Sequence, residues 1–377
     1  MTKNTINNEK RKGLKSNKLL YACVVANVVF MTIVVIQRTN YQRLGNLNKE
    51  FNMRTHTNAA IDPADADSKS ALSVNTSNVE ARNPESNSIA TSSRYLHIIV
   101  FASKRTGSSF TGEILNQNPE VMYLFEPLHQ FTFSVLRGHM EADIFESQSI
   151  EMLDSLFKCD FQGSPFVTTL ANNIFCSKSR ALTTTLCGAH KARNDKAKVI
   201  STLTNICNSY SIRAFKTIRL YDLELLRSYA VDPMINLKII HLVRDPRGVM
   251  NSRRKLHEIN HDYHRKNVPW DETEDLCRDL VKNLHIASSS PAWLKDAYML
   301  VRYEDLARQP NKMADNIYQF LGIRMPKEVQ DWIQRNTKSG DRRAFSTRRN
   351  SSATATQWRE SYLIRTYLKF KKSASLP

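Results

Sequence analysis

Apolar and polar positions change rhythm several times along this chain. Leu19 to Ile36 is apolar on every side and uncharged, with Asn27 its one strongly polar member. Eighteen residues at ~1.5 Å each make a helix of ~27 Å, the thickness of a thin bilayer. Further on, Arg94-Tyr-Leu-His-Ile-Ile-Val-Phe101 is rich in β-branched and aromatic residues and predicts a buried strand. Phe110, Ile114 and Leu115 then recur at helical spacing. Val121 to Pro127, ending near Glu126, reads as a second strand. Ser211 to Arg219 reads as a third, Leu237 to Val243 as a fourth and Tyr298 to Arg302 as a fifth. Helical segments such as Glu304 to Leu321 fill the gaps, whereas residues 140–210 offer no clear long periodic element. Strands separated by helices predict an α/β fold: a P-loop-like central, mostly parallel sheet flanked by helices on both faces.

The same pattern divides the chain. Residues 1–18 carry six lysines and arginines against Glu9 alone and predict a cytoplasmic tail. Residues 19–36 predict a single transmembrane signal anchor, whose positive flank stays in the cytosol and places the remainder of the chain in the lumen. A cleaved signal peptide is the rival, but Ile36-Gln-Arg-Thr-Asn40 lacks a small-x-small cleavage pattern. Residues 37–93, rich in Asn, Ser, Thr, Ala and Asp, predict a flexible lumenal stem with a glycosylation sequon at Asn75. Asp65-Ala-Asp67 has the D-x-D form of a metal-nucleotide site, yet no strand stands near it, so it reads as solvated stem. Residues 94–377 are left as the catalytic domain.

Charge and cysteines narrow the partners. Across 377 residues the formal net charge is +18, which suits a polyanion. The cations are spread out and no short nucleic-acid signature is present, so nucleic acid is not the expected partner. Cys23 falls in the anchor. In an oxidising lumen, two disulfides are expected among Cys159, Cys176, Cys187 and Cys207, with the pairing open and Cys277 left odd. No C-x-x-C pair occurs, and no metal is expected.

Two stretches carry candidate chemistry. Between the first strand and the helix after it lie Arg105, Thr106, Gly107, Ser108, Ser109 and Phe110. Such a turn aims backbone N–H groups and a positive helix end at one point, as a bound phosphate requires. A plain βα turn with serine caps is the alternative. Gly107 and Gly112 have the gap of a nucleotide-triphosphate loop, but Glu113 and Ile114 stand where Lys and Ser/Thr belong, which excludes that class. The second stretch is Arg244, Asp245, Pro246, Arg247, Gly248, Val249, Met250, Asn251 and Ser252. Asp245 suits a helix N-cap and Pro246 the first helical position. Arg244 and Ser252 stand about two helical turns apart, so both can reach one phosphate.

Together the motifs resemble the membrane-bound Golgi carbohydrate sulfotransferases, in particular the branch that sulfates the 6-hydroxyl of GlcNAc, galactose or GalNAc in keratan and chondroitin chains. In that family the segment matched by Arg105 to Phe110 binds the 5′-phosphosulfate of the donor PAPS, and the segment matched by Arg244 to Ser252 binds its 3′-phosphate. Tyr123 to Leu128, Phe215 to Arg219, Val301 to Leu306 and Gln357 to Arg359 are similar to further family segments. The resemblance implies PAPS as co-substrate without a metal, a glycan or glycosaminoglycan acceptor, and a type II Golgi membrane protein. A homo-oligomer is among the arrangements left open. The C-terminus departs from the family, which often continues past its Trp-Arg with another helix and cysteine. Arg105 is expected to stabilise charge on the leaving group, Lys216 to contact the sulfuryl group and Glu126 to take the acceptor's proton, with His129 as second choice. His241, inside a strand, reads as core. Residues 348–359 read as a basic loop able to close over the 3′-phosphate, with a second sequon at Asn350. A tyrosylprotein sulfotransferase, another Golgi transferase and an inactive glycan-binding relative are the alternatives.

Overall fold

The computed structural model describes residues 95–131, 142–171, 175–187, 195–259, 271–338 and 346–360. The expected tail, anchor and stem, with Asn75, lie outside the described residues. Among those described, no helix is long and apolar enough to cross a membrane.

Five strands form one sheet: β1 (Leu96–Ala102), β2 (Val121–Phe125), β3 (Ile212–Thr217), β4 (Asn236–Val243) and β5 (Tyr298–Arg302). Their order is β2-β3-β1-β4-β5 and every pairing is parallel. All seven residues of β1 are buried, which is why its sequence is a continuous apolar run rather than an alternating one. Alternate residues nevertheless serve different layers. Ile99 and Phe101 pack with Leu153 and Phe157 of α2 (Ala142–Lys158) and Leu203 of α3 (Lys196–Ser209). Ile98 and Val100 pack on the other face with Ile114 and Leu115 of α1 (Ser108–Asn116).

The chain leaves β1 toward β2 on one side and leaves β4 toward β5 on the other. The ends of β1 and β4 are hydrogen-bonded neighbours, so a crevice opens where their loops part, the usual ligand position in such sheets. Both chemical stretches sit there. The first is the loop from β1 into α1, and the second opens α4 (Pro246–Ile259) directly after β4.

Cys159 pairs with Cys207, tying the end of α2 to α3, and Cys176 pairs with Cys187. The expectation of an odd Cys277 is corrected: it too is disulfide-bonded. Residues 140–210, unreadable as periodic sequence, contain the two long helices α2 and α3. The expected helix from Glu304 to Leu321 is two, α6 (Tyr303–Arg308) and α7 (Pro310–Leu321), because Pro310 starts a new one. Between α4 and α6 runs α5 (Asp271–Ser288), and α8 (Lys327–Thr337) comes after α7. Residues 351–360 are helical, not the loop expected there, with Ala355 and Trp358 buried.

Candidate active site

The loop from β1 to α1 is held in a conformation that only some residues tolerate. Gly107 has φ 97° and Arg105 φ 74°. A side chain at Gly107 would overlap the ring of Tyr303. The Thr106 hydroxyl donates to Ser103 O at 2.7 Å, closing the turn. The first-turn N–H groups of Ser108 and Ser109 have no intrahelical acceptor, by the rule for any helix start. Thr106 and Ser108 are buried, while Ser109 and Phe110 are half-buried, and Phe110 stacks near Trp332 at 5.3 Å between ring centres.

The second stretch meets the first. Arg105 Nε donates to Ser252 Oγ at 3.0 Å, and Arg244 Nη1 donates to the Arg105 carbonyl at 3.0 Å. Arg244 and Ser252 are therefore joined through Arg105. Arg244 lies 4.2 Å from the centre of the Tyr303 ring, and its buried Nε has no hydrogen-bond partner among the described residues. Burial, then Arg349 and Arg244, push the Arg105 pKa below its ordinary value. Three guanidiniums thus converge on one region, a ready receptor for phosphate oxygens. Arg349 was only part of a suspected loop in the sequence; nothing there marked it as the third cation.

Asp245 behaves as the cap expected, accepting from Arg247 N at 2.9 Å. Its own N–H is fixed by Glu304 Oε1 at 3.1 Å. Pro246 and Val249 are buried, Met250 is half-buried, and Asn251 is buried. Gly248 packs under Trp358 and the Arg244 side chain. Arg247 turns outward: it is exposed, bonds Asp245 at 2.7 Å and lies 5.0 Å from the Trp358 ring centre.

Glu126 comes directly after β2 at φ 46°, another left-handed position, and its side chain is buried. Each carboxylate oxygen has a cation: Lys216 Nζ on Oε1, and Arg219 Nη2 on Oε2 at 3.0 Å. Lys216 is not the exposed strand-end residue that its position suggests; it is 1% exposed, with its ammonium 3.9 Å from the Phe125 ring centre. Burial lowers the Lys216 pKa and Glu126 opposes that shift. Backbone strain of this kind clusters at functional sites, and here both Arg105 and Glu126 carry it. Arg219 ends a family-like segment that gave it no role, and its ion pair is what the sequence missed. His129 is half-buried with its pKa lowered first by burial and next by Arg219. His241 is buried as expected, its Nδ1 2.8 Å from Tyr298 Oη. The sequon residue Asn350 is exposed, and its side-chain oxygen accepts from Ala353 N at 3.1 Å to cap the last helix.

Among the described residues, no three of His, Cys, Asp and Glu gather so as to hold a metal ion. At the switch point of a parallel sheet, two loops bring three arginines together, with a buried acid–lysine pair at the end of a neighbouring strand, an arrangement suited to an anionic ligand. Comparison with known proteins agrees. The model of the sulfotransferase domain matches residues 96–372. The chain is 35% identical to mouse (Mus musculus) carbohydrate sulfotransferase 1 over 308 residues, 71% of this chain and 74% of that one. It is 34% identical to carbohydrate sulfotransferase 3 of Tetronarce californica over 300 residues, 70% of this chain and 67% of that one. A solved sulfotransferase domain from a Synechococcus olefin synthase covers 71% of this chain and 88% of its own at 21% identity, with a TM-score of 0.39. The chain belongs to the sulfotransferase family.

Proposed function

We propose that this enzyme moves a sulfuryl group from PAPS to a sugar hydroxyl, the 6-hydroxyl of a hexosamine or galactose in a glycan or glycosaminoglycan. The observation that carries it is the meeting of two loops 139 residues apart, Arg244 on the Arg105 carbonyl at 3.0 Å. PAPS has two phosphate-bearing ends, and the fused loops offer two adjoining cationic positions. Arg105 and the N–H groups of Thr106 to Ser109 would hold the 5′-phosphosulfate end, and Arg244 with Ser252 the 3′-phosphate. The orphaned Arg244 Nε supports this fit, since a buried guanidinium nitrogen wants an acceptor.

PAPS, when bound, supplies the sulfuryl group and a leaving phosphate. Arg105 neutralises charge growing on that phosphate. Lys216 contacts the sulfuryl oxygens once it turns from Glu126, and Glu126 then accepts the proton of the attacking hydroxyl. Arg219 keeps the carboxylate aimed while Lys216 is engaged elsewhere. The apolar run 19–36 behind a basic tail supports a single-pass type II protein of the Golgi membrane with a lumenal catalytic domain. The exposed Asn350 supports glycan attachment there.

Arg105→Ala and Arg244→Ala test the donor site. Each removes a charge-assisted contact and should weaken PAP binding by about tenfold or more in calorimetry, and labelled-PAPS transfer should fall to background. A thermal melt checks that each variant folds. Full activity in both variants would sink the assignment.

A further inference from the structure

The short helix α6, which follows β5, touches every stretch that carries one of the three converging arginines. Toward the first donor loop, the Tyr303 ring fills the space where a side chain on Gly107 would stand. Toward the second, the Arg244 guanidinium lies 4.2 Å from the centre of the same ring, and Glu304 Oε1 accepts from Asp245 N at 3.1 Å. Toward the third, Ser351 Oγ, two residues beyond Arg349, donates to Ala307 O at 2.7 Å. Val243 of β4 and Arg302 of β5 are register partners, so Arg244 and Tyr303 leave the sheet side by side.

We propose that Tyr303 and Glu304 are positioning residues for the donor's 3′-phosphate, setting how strongly the site prefers a 3′-phosphorylated adenine nucleotide over one without that phosphate; the proposal rests on the PAPS reading above. Both act through Arg244 and the first turn of α4.

Three observations carry it. First, the N–H of a helix N-cap residue is met in a capping box by a carboxylate or amide three positions on. In α4 that position is Gly248, which has no side chain to offer, and Glu304 supplies the acceptor from α6 instead. The start of α4, and with it the direction in which Arg244 leaves β4, is fixed from outside the helix. Second, Arg244 has few other holds. Its Nη1 donates to the Arg105 carbonyl and its Nε has no hydrogen-bond partner among the described residues, so the Tyr303 face keeps the plane of the guanidinium. Stacking uses that face and leaves the edge N–H groups for phosphate oxygens. Third, Glu304 is 6% exposed, and its Oε2 has no hydrogen-bond partner among the described residues. A carboxylate buried for a single backbone bond is costly unless charge nearby compensates. The adjoining Tyr303 hydroxyl feels that charge together with the cations: burial raises its pKa, Arg244 and Arg349 oppose the rise, Glu304 adds to it and Arg105 opposes it. Glu304 is therefore a fixed negative charge in the field of the three arginines, and it offsets part of their mutual repulsion.

The test uses the full chain with Glu304→Met, Glu304→Gln, Tyr303→Leu and Tyr303→Phe, each checked by thermal melting. Calorimetry gives the affinity for PAP, the donor without its sulfuryl group, and for AMP, the same nucleotide without the 3′-phosphate. Glu304→Met keeps the volume and loses the acceptor; PAP binding should weaken by about tenfold or more while AMP binding stays within about threefold. Glu304→Gln keeps an oxygen for Asp245 N and should restore PAP binding to within about threefold of wild type. Tyr303→Leu should weaken PAP by about tenfold and AMP by less, since the ring also backs the Gly107 loop; Tyr303→Phe should bind both as wild type does. Equal weakening of PAP and AMP in Glu304→Met and Tyr303→Leu would reduce both residues to general scaffold and overturn the proposal, as would unchanged PAP affinity in both. If Glu304→Met does not fold, the Tyr303 pair decides by the same criterion. Wild-type protein that binds PAP no more tightly than AMP would instead overturn the PAPS reading, and this proposal with it.

Discussion

Lys216→Met asks how much of the site rests on one buried pair. Lys216 and Glu126 are 1% and 6% exposed, and the ammonium shares the carboxylate with Arg219, 3.0 Å from the other oxygen. Removing one partner of a buried pair typically costs ~3–5 kcal/mol, because the remaining charge stays desolvated. Arg219 still holds Oε2, so the lower end applies, ~3 kcal/mol. At roughly 2–4 °C per kcal/mol for a domain of this size, the melting temperature should fall by about 6–12 °C. Glu126→Gln should cost a similar amount, since it leaves Lys216 buried against a neutral amide and removes the group that holds its pKa up. The double variant removes both charges at once. Its cost should therefore fall short of the sum of the singles by ~2 kcal/mol or more. Calorimetric melts of the four proteins give the cycle. Turnover with labelled PAPS gives a second one, with kcat in Glu126→Gln lower by about 10²–10⁴-fold and PAP affinity kept. Strict additivity of the stability changes would refute the coupling. A double variant with wild-type kcat would remove both residues from the chemistry.

Gly107→Ala should destabilise the fold by about 1–3 kcal/mol and weaken PAP binding with it, because φ 97° is strained for any side chain and the Tyr303 ring fills the space; a variant that melts and binds like wild type would show that the loop can relax. His97 gives the protein a pH dependence. Burial, then Arg213, lowers its pKa from 6.5 to about 4. The unfolded chain thus binds a proton that the folded one refuses, and stability present above pH 6.5 is lost as pH falls to about 4, by ~3 kcal/mol in all. Urea titrations between those limits should show this slope in wild type and a flatter one in His97→Phe; parallel slopes would contradict the account.

The strands were legible because they are largely buried and rich in β-branched and aromatic residues, β1 and β2 as unbroken apolar runs and β3 and β4 with buried or half-buried cations among them, so their boundaries in the structure differ from the sequence reading by a residue or two. α2 and α3 were not. α3 is Lys-Ala-Lys-Val-Ile-Ser-Thr-Leu-Thr-Asn-Ile-Cys-Asn-Ser, rich in β-branched and short polar residues that favour helix weakly. Its packing and the Cys159–Cys207 bond supply what local preference lacks. In the site, Arg105, Arg244 and Ser252 were legible as motif residues, and the expected approach of the last two is made through the first. Arg219 and Arg349 were not. Neither carries a local signal, since Arg219 matters through a carboxylate 93 residues away and Arg349 through a cation cluster assembled only by the fold.

The two halves of the site solve opposite electrostatic problems. Around Arg105 the protein gathers cations side by side, and burial first, then the repulsion of Arg349 and Arg244, lowers the Arg105 pKa. An anion entering there would relieve that repulsion, so on the proposed function the donor loops would favour the occupied state over the empty one. Around Glu126 the protein does the reverse. Lys216 is buried so deeply that it needs the carboxylate beside it, and the pair is neutral before any ligand arrives. In the mechanism proposed above, an approaching sulfuryl group would compete with Glu126 for the ammonium. Success in that competition would free a carboxylate oxygen for an acceptor hydroxyl, while Arg219 holds the other oxygen at 3.0 Å. On that proposal, donor arrival and base activation would be one exchange of partners at Lys216, and the stability and turnover cycles of Lys216→Met and Glu126→Gln test it.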